Sequence, residues 1–358
     1  MKQDCRQHPS NRSSSEWPPK ELEHVTHCPI CKSQKRSLLY DDLTDRVFFC
    51  APGTWTLYAC EECGSAYLDP RPSRASIGLA YQSYYTHEEG KNPEIERVSF
   101  LARLKRGLRN GYLNHRYSVV LRPSLPLGRW LVPLLPQRRM IDEYVRHLPR
   151  ATPGAKLLDI GCGNGGFLRI AQQLGWKVWG TDVDENALQV ASQTGAKVFK
   201  GMLPNLDLPD NSFDVITLSH VIEHVHDPDL ALREIHRLLK PGGLLWLATP
   251  NLASDGARFF KRHWRGLEVP RHLCLFTPSS ITALMKSEGF SVPTFKRSTS
   301  ALPMFNQSYR ISAGLEPYVS EGEKIPRAII FRLVMANIKY SFIHTRSEFI
   351  ILIGIAEK

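Results

Sequence analysis

Three groups of side chains in this 358-residue chain have types and spacing that could do chemistry. In the first, the apolar run Leu157-Leu158 leads to Asp159 and then to the turn Gly161-Cys162-Gly163. Paired glycines let a backbone turn tightly and let a ligand come close to it. The spacing Gly161-x-Gly163-x-x-Gly166 also fits a dinucleotide loop. Asp159 argues against that use. A carboxylate two residues before the first glycine repels a pyrophosphate and attracts an ammonium, so the expected ligand is cationic and has no phosphate.

The second group is His220-Val-Ile-Glu223-His224. If these residues make one helical turn, His220, Glu223 and His224 share a face at i, i+3 and i+4. Three chemistries fit that face. Read literally, His-x-x-Glu-His is an inverted zinc-protease pattern, whose usual setting is a long helix. A divalent-cation site is the second. The third is direct acid–base work, in which a histidine takes a proton from a hydroxyl or an acidic carbon while Glu223 orients it. The bland alternative is that the histidines only line a pocket.

The third group is Cys28-Pro-Ile-Cys31 with Cys60-Glu-Glu-Cys63. Two such pairs supply the tetrahedral thiolate set that zinc prefers, and with no histidine among the four a closed structural site is expected. Cys50 is a spare ligand. Cysteines clustered in this way point to a reducing cytoplasm and metal binding rather than to a disulfide framework.

The elements that position these groups read as alternating strands and helices, the pattern of a parallel α/β sheet. Strand 156–160 is followed by helix 167–174, capped by Gly175. Strand 177–182 ends in Asp182, an acid placed to accept from two ribose hydroxyls. Asp184 is the substitute for Asp182 in that role or the cap of the helix 185–193, and 196–200 is a third strand. Asp214 starts a fourth strand in a structural role, and that strand ends at Ser219. Asp227 and Pro228 open the helix 230–239. Residues 240–243 are expected to break that helix before a fifth strand, 244–249. Helix 279–288 precedes a sixth strand, 290–297, and 348–355 is a strongly apolar last strand. Farther upstream, 38–49 and 55–59 read as strands, and 98–117 and 141–148 as helices.

On its first motif, Asp159-x-Gly161-x-Gly163, the chain resembles the class I S-adenosylmethionine-dependent methyltransferases. The resemblance implies an α/β fold with a Rossmann-like seven-stranded, mostly parallel sheet whose last strand is antiparallel. It implies S-adenosyl-L-methionine as cofactor, with Asp159, Gly161, Cys162, Gly163 and Ser219 around it, Asp182 at the ribose, and Met202 and Leu203 beside the adenine. Quinone-type O-methyltransferases carry Glu-x-x-Glu-His at 220–224, where this chain has His220 in place of the first glutamate. In similar sugar C-methyltransferases a histidine after a glutamate is the base, which maps onto His224. Pro270-x-His272 matches a further motif of such enzymes and makes His272 a second candidate base. Residues 28–87 resemble a zinc-binding module fused to bacterial methyltransferases of sugar and surface-polysaccharide pathways, in which a tyrosine-rich segment (Tyr84 and Tyr85 here) serves as a lid.

The charge is uneven. Residues 97–150 hold twelve Arg or Lys against Asp142 and Glu143, which is nearly the whole formal net charge of +11. Nucleic acid, an anionic lipid surface or a phosphorylated substrate would each account for it. The stretch 119–137 is apolar but broken by prolines and arginines, so it cannot span a bilayer. It could lie on one with Trp130 at the interface, or it could cover the substrate side of the catalytic domain. The first residues do not read as a signal peptide, and a cytoplasmic protein is expected, with a peripheral place at the inner membrane face as the alternative. The expected organisation is a disordered tail (1–24), a small N-terminal zinc-binding module with lid (25–90), a basic linker or cover (91–150) and the methyltransferase domain (151–358). The expected activity is O- or C-methylation of a saccharide, as a nucleotide-linked sugar or lipid-linked glycan, with a histidine base. An RNA methyltransferase and a non-catalytic cofactor-binding protein are the alternatives.

Overall fold

The computed structural model describes residues 16–81, 99–298, 301–318, 326, 329–331 and 344–358. Tyr84 and Tyr85 of the expected lid, and residues 1–15 of the expected tail, lie outside these. In chain order the strands are β1 (Leu22–Glu23), β2 (Arg36–Leu43), β3 (Trp55–Cys60), β4 (Ala66–Leu68), β5 (Arg71–Pro72), β6 (Lys156–Ile160), β7 (Lys177–Asp182), β8 (Lys197–Lys200), β9 (Phe213–Ser219), β10 (Leu239–Pro250), β11 (Cys274–Leu275), β12 (Thr294–Lys296) and β13 (Phe349–Ile355). The α-helices are α1 (Phe100–Tyr117), α2 (Gly128–Leu131), α3 (Gln137–Tyr144), α4 (Gly166–Gln173), α5 (Glu185–Ser192), α6 (Pro228–Leu238), α7 (Asp255–Phe260), α8 (Pro278–Ser287) and α9 (Ala301–Ser312).

Seven strands form one sheet in the order β12-β13-β10-β9-β6-β7-β8. Strand β6 is parallel to β7 and β9, β7 is parallel to β8, and β13 runs antiparallel to β12. This is the expected α/β sheet, mostly parallel with an antiparallel last strand. The chain divides into two compact units, one of Tyr85–Leu218, Arg237–Trp246 and Lys358, the other of Met1–Tyr84, Ser219–His236 and Leu247–Glu357.

In the first unit, Leu157 to Ile160 of β6 are all buried, as in a strand covered on both faces. Helix α4 turns Phe167, Leu168 and Ala171 into a core shared with Trp176, Val178 and Val215. Helix α5 starts at Asp184, whose carboxylate accepts from the N–H groups of Asn186 (2.8 Å) and Ala187 (3.4 Å). The same core takes in Tyr112, Leu113 and Tyr117 of α1, so the basic segment is built into this unit through its last turns. Helix α1 meets the turn before α2 backbone to backbone. A Cβ at Gly111 would lie 1.9 Å from the Leu125 carbonyl, and one at Gly128 would lie 1.9 Å from that of Leu108.

Two expectations fail in this unit. The helix before the first strand ends at Tyr144, not Leu148, because Arg146 (φ 49°) and His147 (φ 50°) take the left-handed conformation. The fifth strand starts at Leu239, not at 244, so the helix before it ends at Leu238 and Lys240–Gly243 is already strand. Lys240 donates to Asp214 (2.7 Å) at the start of β9.

The second unit holds a four-stranded sheet, β11-β4-β3-β2, and the pair β1-β5. Strand β2 stops at Leu43, short of the expected Phe49, because the next residues wrap the Asp45 carboxylate. That carboxylate accepts from the N–H groups of Val47, Phe48, Cys50 and Ala51 at 3.0–3.1 Å. Strand β12 is also shorter than expected, with three residues paired to β13. Strand β11 pairs Cys274 with Tyr67 and Leu275 with Ala66 of β4, which draws the Arg271-His272 segment onto the N-terminal sheet.

Candidate active site

The glycine turn follows β6 in the first unit. Gly161 (φ 72°) and Gly163 (φ 51°) take the left-handed conformation, and a Cβ at Gly163 would meet nothing within 4 Å, so there is room over that residue. The N–H groups of Gly161 and Cys162 both donate to the Thr181 carbonyl, at 2.8 and 2.9 Å. Gly163 donates to Asp182 Oδ2 (2.8 Å), Gly165 to the Cys162 carbonyl (3.0 Å) and Gly166 to Asn164 Oδ1 (3.2 Å). A phosphate cradle needs such donors unengaged. Here each has an acceptor inside the chain, and two carboxylates stand at the same end of the sheet.

Asp159 is not an open carboxylate at a strand's edge. It is wholly buried, and its Oδ1 accepts from Arg146 and from the Thr217 hydroxyl (2.8 Å). Its Oδ2 is buried without a hydrogen-bond partner. Burial pushes the Asp159 carboxyl up, while the Arg146 guanidinium and Thr217 pull against it. An orphaned buried oxygen of this kind costs about 1–3 kcal/mol and is suited to one further cationic donor. Arg146 is held over the Phe167 ring, 3.7 Å from its centroid, with the Trp246 ring at 5.2 Å. The sequence carries no signal for Arg146. Its left-handed turn beyond the end of α3 leaves no periodic signal.

The other residues expected at the cofactor divide by burial. Asp182 lies at the end of β7, each oxygen accepting one N–H, from Gly163 and from Asp184. Met202 is exposed, whereas Cys162 and Leu203 turn their side chains into the core and offer only backbone. Ser219 ends β9 and is half-buried.

The histidine group lies in the second unit, and it is not one α-helical turn. His220 (φ 56°) stands before a 3₁₀ turn, Ile222–His224. Glu223 is fully buried, with Oε1 3.3 Å from His220 Nδ1 and Oε2 accepting from the Thr249 hydroxyl (2.9 Å). The expected orienting carboxylate therefore holds His220 rather than His224. His224 Nδ1 lies 3.0 Å from the Arg271 carbonyl and 3.0 Å from the Tyr81 hydroxyl. His272 is buried and hydrogen-bonds through Nδ1 to the Gly266 carbonyl (2.7 Å). A carbonyl accepts only from a protonated nitrogen, so both rings keep Nε2 as the basic atom.

Burial lowers His272 to about 4. Burial opposes ionisation of Glu223, but the His220 hydrogen bond and the charges of the neighbouring histidines bring it down to about 2. One ligand atom each from Glu223, His224 and His272 falls within 4.8 Å of the others, so this group could also take a cation.

Residues 135–294 match the family described as methyltransferase domain. The chain is similar to a malonyl-[acyl-carrier protein] O-methyltransferase of Serratia marcescens, 31% identical over 39% of this chain and 55% of that protein. It is also similar to a ubiquinone biosynthesis O-methyltransferase of Bordetella avium, 30% identical over 41% of this chain and 66% of that protein. It thus spans about half to two-thirds of the length of these curated relatives. Among solved structures it is similar to an S-adenosylmethionine-dependent methyltransferase of Thermotoga maritima, with 23% identity, 65% of this chain and 95% of that chain covered, and a TM-score of 0.42.

Outside the matched residues 135–294, the four cysteines come together. Their sulfurs lie within 4.8 Å of one another, with Cys28–Cys63 at 3.7 Å and Cys31–Cys60 at 3.4 Å. Thiolates at about 2.3 Å from a tetrahedral zinc are about 3.8 Å apart, so the spacing suits a metal and is too long for a disulfide. The two turns are built alike. Cys28 donates to Ser33 O and Cys60 to Ser65 O, both at 2.8 Å, while Lys32 donates back to Cys28 O (2.9 Å) and Gly64 to Cys60 O (3.0 Å). The hydrogen bond from Cys63, against burial, lowers the Cys28 thiol to about 4. Cys50 is not part of the group and packs instead against Asp45 and the Ala80 carbonyl.

Proposed function

We propose that this protein transfers the methyl group of S-adenosylmethionine to a hydroxyl acceptor, with His220 as the base that removes the acceptor's proton. The observation that carries this reading is the His220–Glu223–Thr249 chain. A buried carboxylate, oriented by the Thr249 hydroxyl, holds one ring nitrogen of a histidine that is itself 43% exposed. That is the arrangement of an oriented general base, worth about 10²–10⁴ in rate. When bound, S-adenosylmethionine supplies an electrophilic methyl. Around it, Asp159 Oδ2 would take the ammonium, Arg146 the carboxylate, and the remaining lone pairs of Asp182 the ribose hydroxyls. The residues' main contribution to rate is to hold acceptor and methyl in line.

An oxygen acceptor is supported by the two O-methyltransferase relatives. A saccharide, as a nucleotide-linked sugar or lipid-linked glycan, is the class favoured by the resemblance of the N-terminal module. Methylation at an acidic carbon uses the same base. Cys28, Cys31, Cys60 and Cys63 hold one structural zinc in this reading.

The test is formation of S-adenosylhomocysteine with panels of sugar nucleotides, lipid-linked glycans and RNA. Turnover with a sugar-bearing acceptor, and its fall by about 10²-fold or more in His220→Gln at unchanged cofactor affinity, is the expected result. Turnover with RNA alone would replace the acceptor assignment, and binding without turnover on any panel would leave a cofactor-binding protein. If His224→Gln abolished turnover and His220→Gln did not, the base would be His224.

A further inference from the structure

We infer that the helical hairpin of α1 and α2 docks on an anionic phospholipid surface. This goes beyond the methyl-transfer reading and does not depend on it. Phe100, Leu104, Gly107 and Gly111 follow one another at i, i+4, i+7 and i+11, a single stripe along α1. The C-terminal half of that stripe is covered. Cβ atoms at Gly107 and Gly111 would strike the side chain and carbonyl of Leu125. The N-terminal half is not. Phe100 is 80% exposed, and Leu104 is exposed in the next turn.

A second apolar stripe comes from the other arm. Leu127, Trp130, Leu131 and Leu134 stand at i, i+3, i+4 and i+7 through α2 and the 3₁₀ turn that follows. All four are exposed, Trp130 at 65% and Leu134 at 82%, while Gly128 and Val132 on the opposite side are buried. This arm is amphipathic with its apolar side outward. Isolated exposed apolar residues are ordinary, but two ordered stripes on one hairpin are not.

The charge on the hairpin names the occupant. Arg103, Lys105, Arg106, Arg122, Arg129 and Arg139 are exposed, and among the described residues from 99 to 150 no acid is exposed, Asp142 being buried and Glu143 half-buried. The Arg129 guanidinium stands 4.9 Å from the Trp130 ring centroid, a cation beside the aromatic that would enter the headgroup layer. Apolar side chains flanked by cations, without a helix long and apolar enough to cross a membrane among the described residues, match a surface-lying anchor. The tight Gly111 and Gly128 crossings make the hairpin a preformed platform, so little ordering is lost on docking.

The experiment is co-sedimentation of the full chain with vesicles of phosphatidylcholine alone and with phosphatidylglycerol added, at low and raised salt, alongside Trp130→Ser/Leu134→Ser and Arg129→Gln/Arg139→Gln variants. Binding to the phosphatidylglycerol vesicles is expected, weakened about tenfold or more by either double substitution and by salt. All these side chains are exposed, so melting temperatures should match the parent. Absence of binding to the anionic vesicles would overturn the inference. So would binding that the Trp130/Leu134 variant leaves unchanged, since that is charge alone. A dimer in sedimentation that the same variant dissociates would overturn it in favour of a second copy of the chain.

Discussion

Asp45 and Arg271 lie 226 residues apart in the chain and form a two-pronged ion pair in which both side chains are fully buried. Arg271 also donates to the Ala80 carbonyl (3.0 Å) and pairs with Glu268. The pair ties the turn after β2 to the segment that carries His272. Burial works against both charges, yet each holds the other ionised, with Asp45 shifted down and Arg271 up.

A buried pair of this kind is costly to break from one side, because the partner is left charged and dry. Asp45→Ala should lower unfolding free energy by about 3–5 kcal/mol, and Asp45→Ala/Arg271→Met should recover part of that loss. Denaturant titration of the three proteins measures both. A single substitution costing under about 1 kcal/mol would show that the pair is not what fastens this segment.

What was legible in the sequence was what is local. The strands and helices from 156 to 200 follow from apolar period, from Asp184 as a cap and from Gly175 (φ 92°) as a stop. Arg146 was invisible because a left-handed residue just past a helix has no pattern, and its partner Asp159 lies on the next strand. The choice of His220 over His224 by Glu223 was equally hidden. It depends on Thr249 of β10 gripping the other oxygen, and on Leu273 donating to the Glu223 carbonyl (2.8 Å). Proline and glycine at 241–243 read as the end of a helix, whereas the early start of β10 at Leu239 goes with a tertiary contact, the Lys240–Asp214 pair.

Arg146 gives the second prediction. Lysine keeps its charge beside Asp159 but loses the planar fork and the face that lies on Phe167. Arg146→Lys should therefore weaken S-adenosylhomocysteine binding about tenfold in calorimetry while the fold persists. Unchanged affinity would remove Arg146 from the cofactor site.

The cysteine group predicts about one zinc per chain by elemental analysis, lost in Cys60→Ser. Removing the metal with a strong chelator should lower the melting temperature by several degrees, and re-adding zinc should restore it, because the site's binding energy is folding energy. A purified chain with no zinc and an unchanged melting curve after chelation would mean that the four thiols are only neighbours.

His272 gives a pH dependence whose direction can be worked out. Its folded value, about 4, lies below the ordinary 6.5, because burial disfavours the charged ring. The unfolded chain therefore binds the proton first as pH falls. The stability this group contributes is complete above pH 6.5, and it is lost progressively down to about 4, in all about 3 kcal/mol. Glu223 acts in the same direction over the next window, from 4.5 to about 2. Urea unfolding of the parent and of His272→Gln at about pH 7, 5.5, 4 and 3 separates the two, the first three values bracketing the His272 window and the last lying in that of Glu223. The parent should lose stability more steeply than the variant between the first and third of these, and the curves should then run parallel as Glu223 takes over. Parallel curves from pH 7 downward would mean that the His272 ring titrates alike in the folded and unfolded chain, and that the neutral Nε2 assigned to it is wrong.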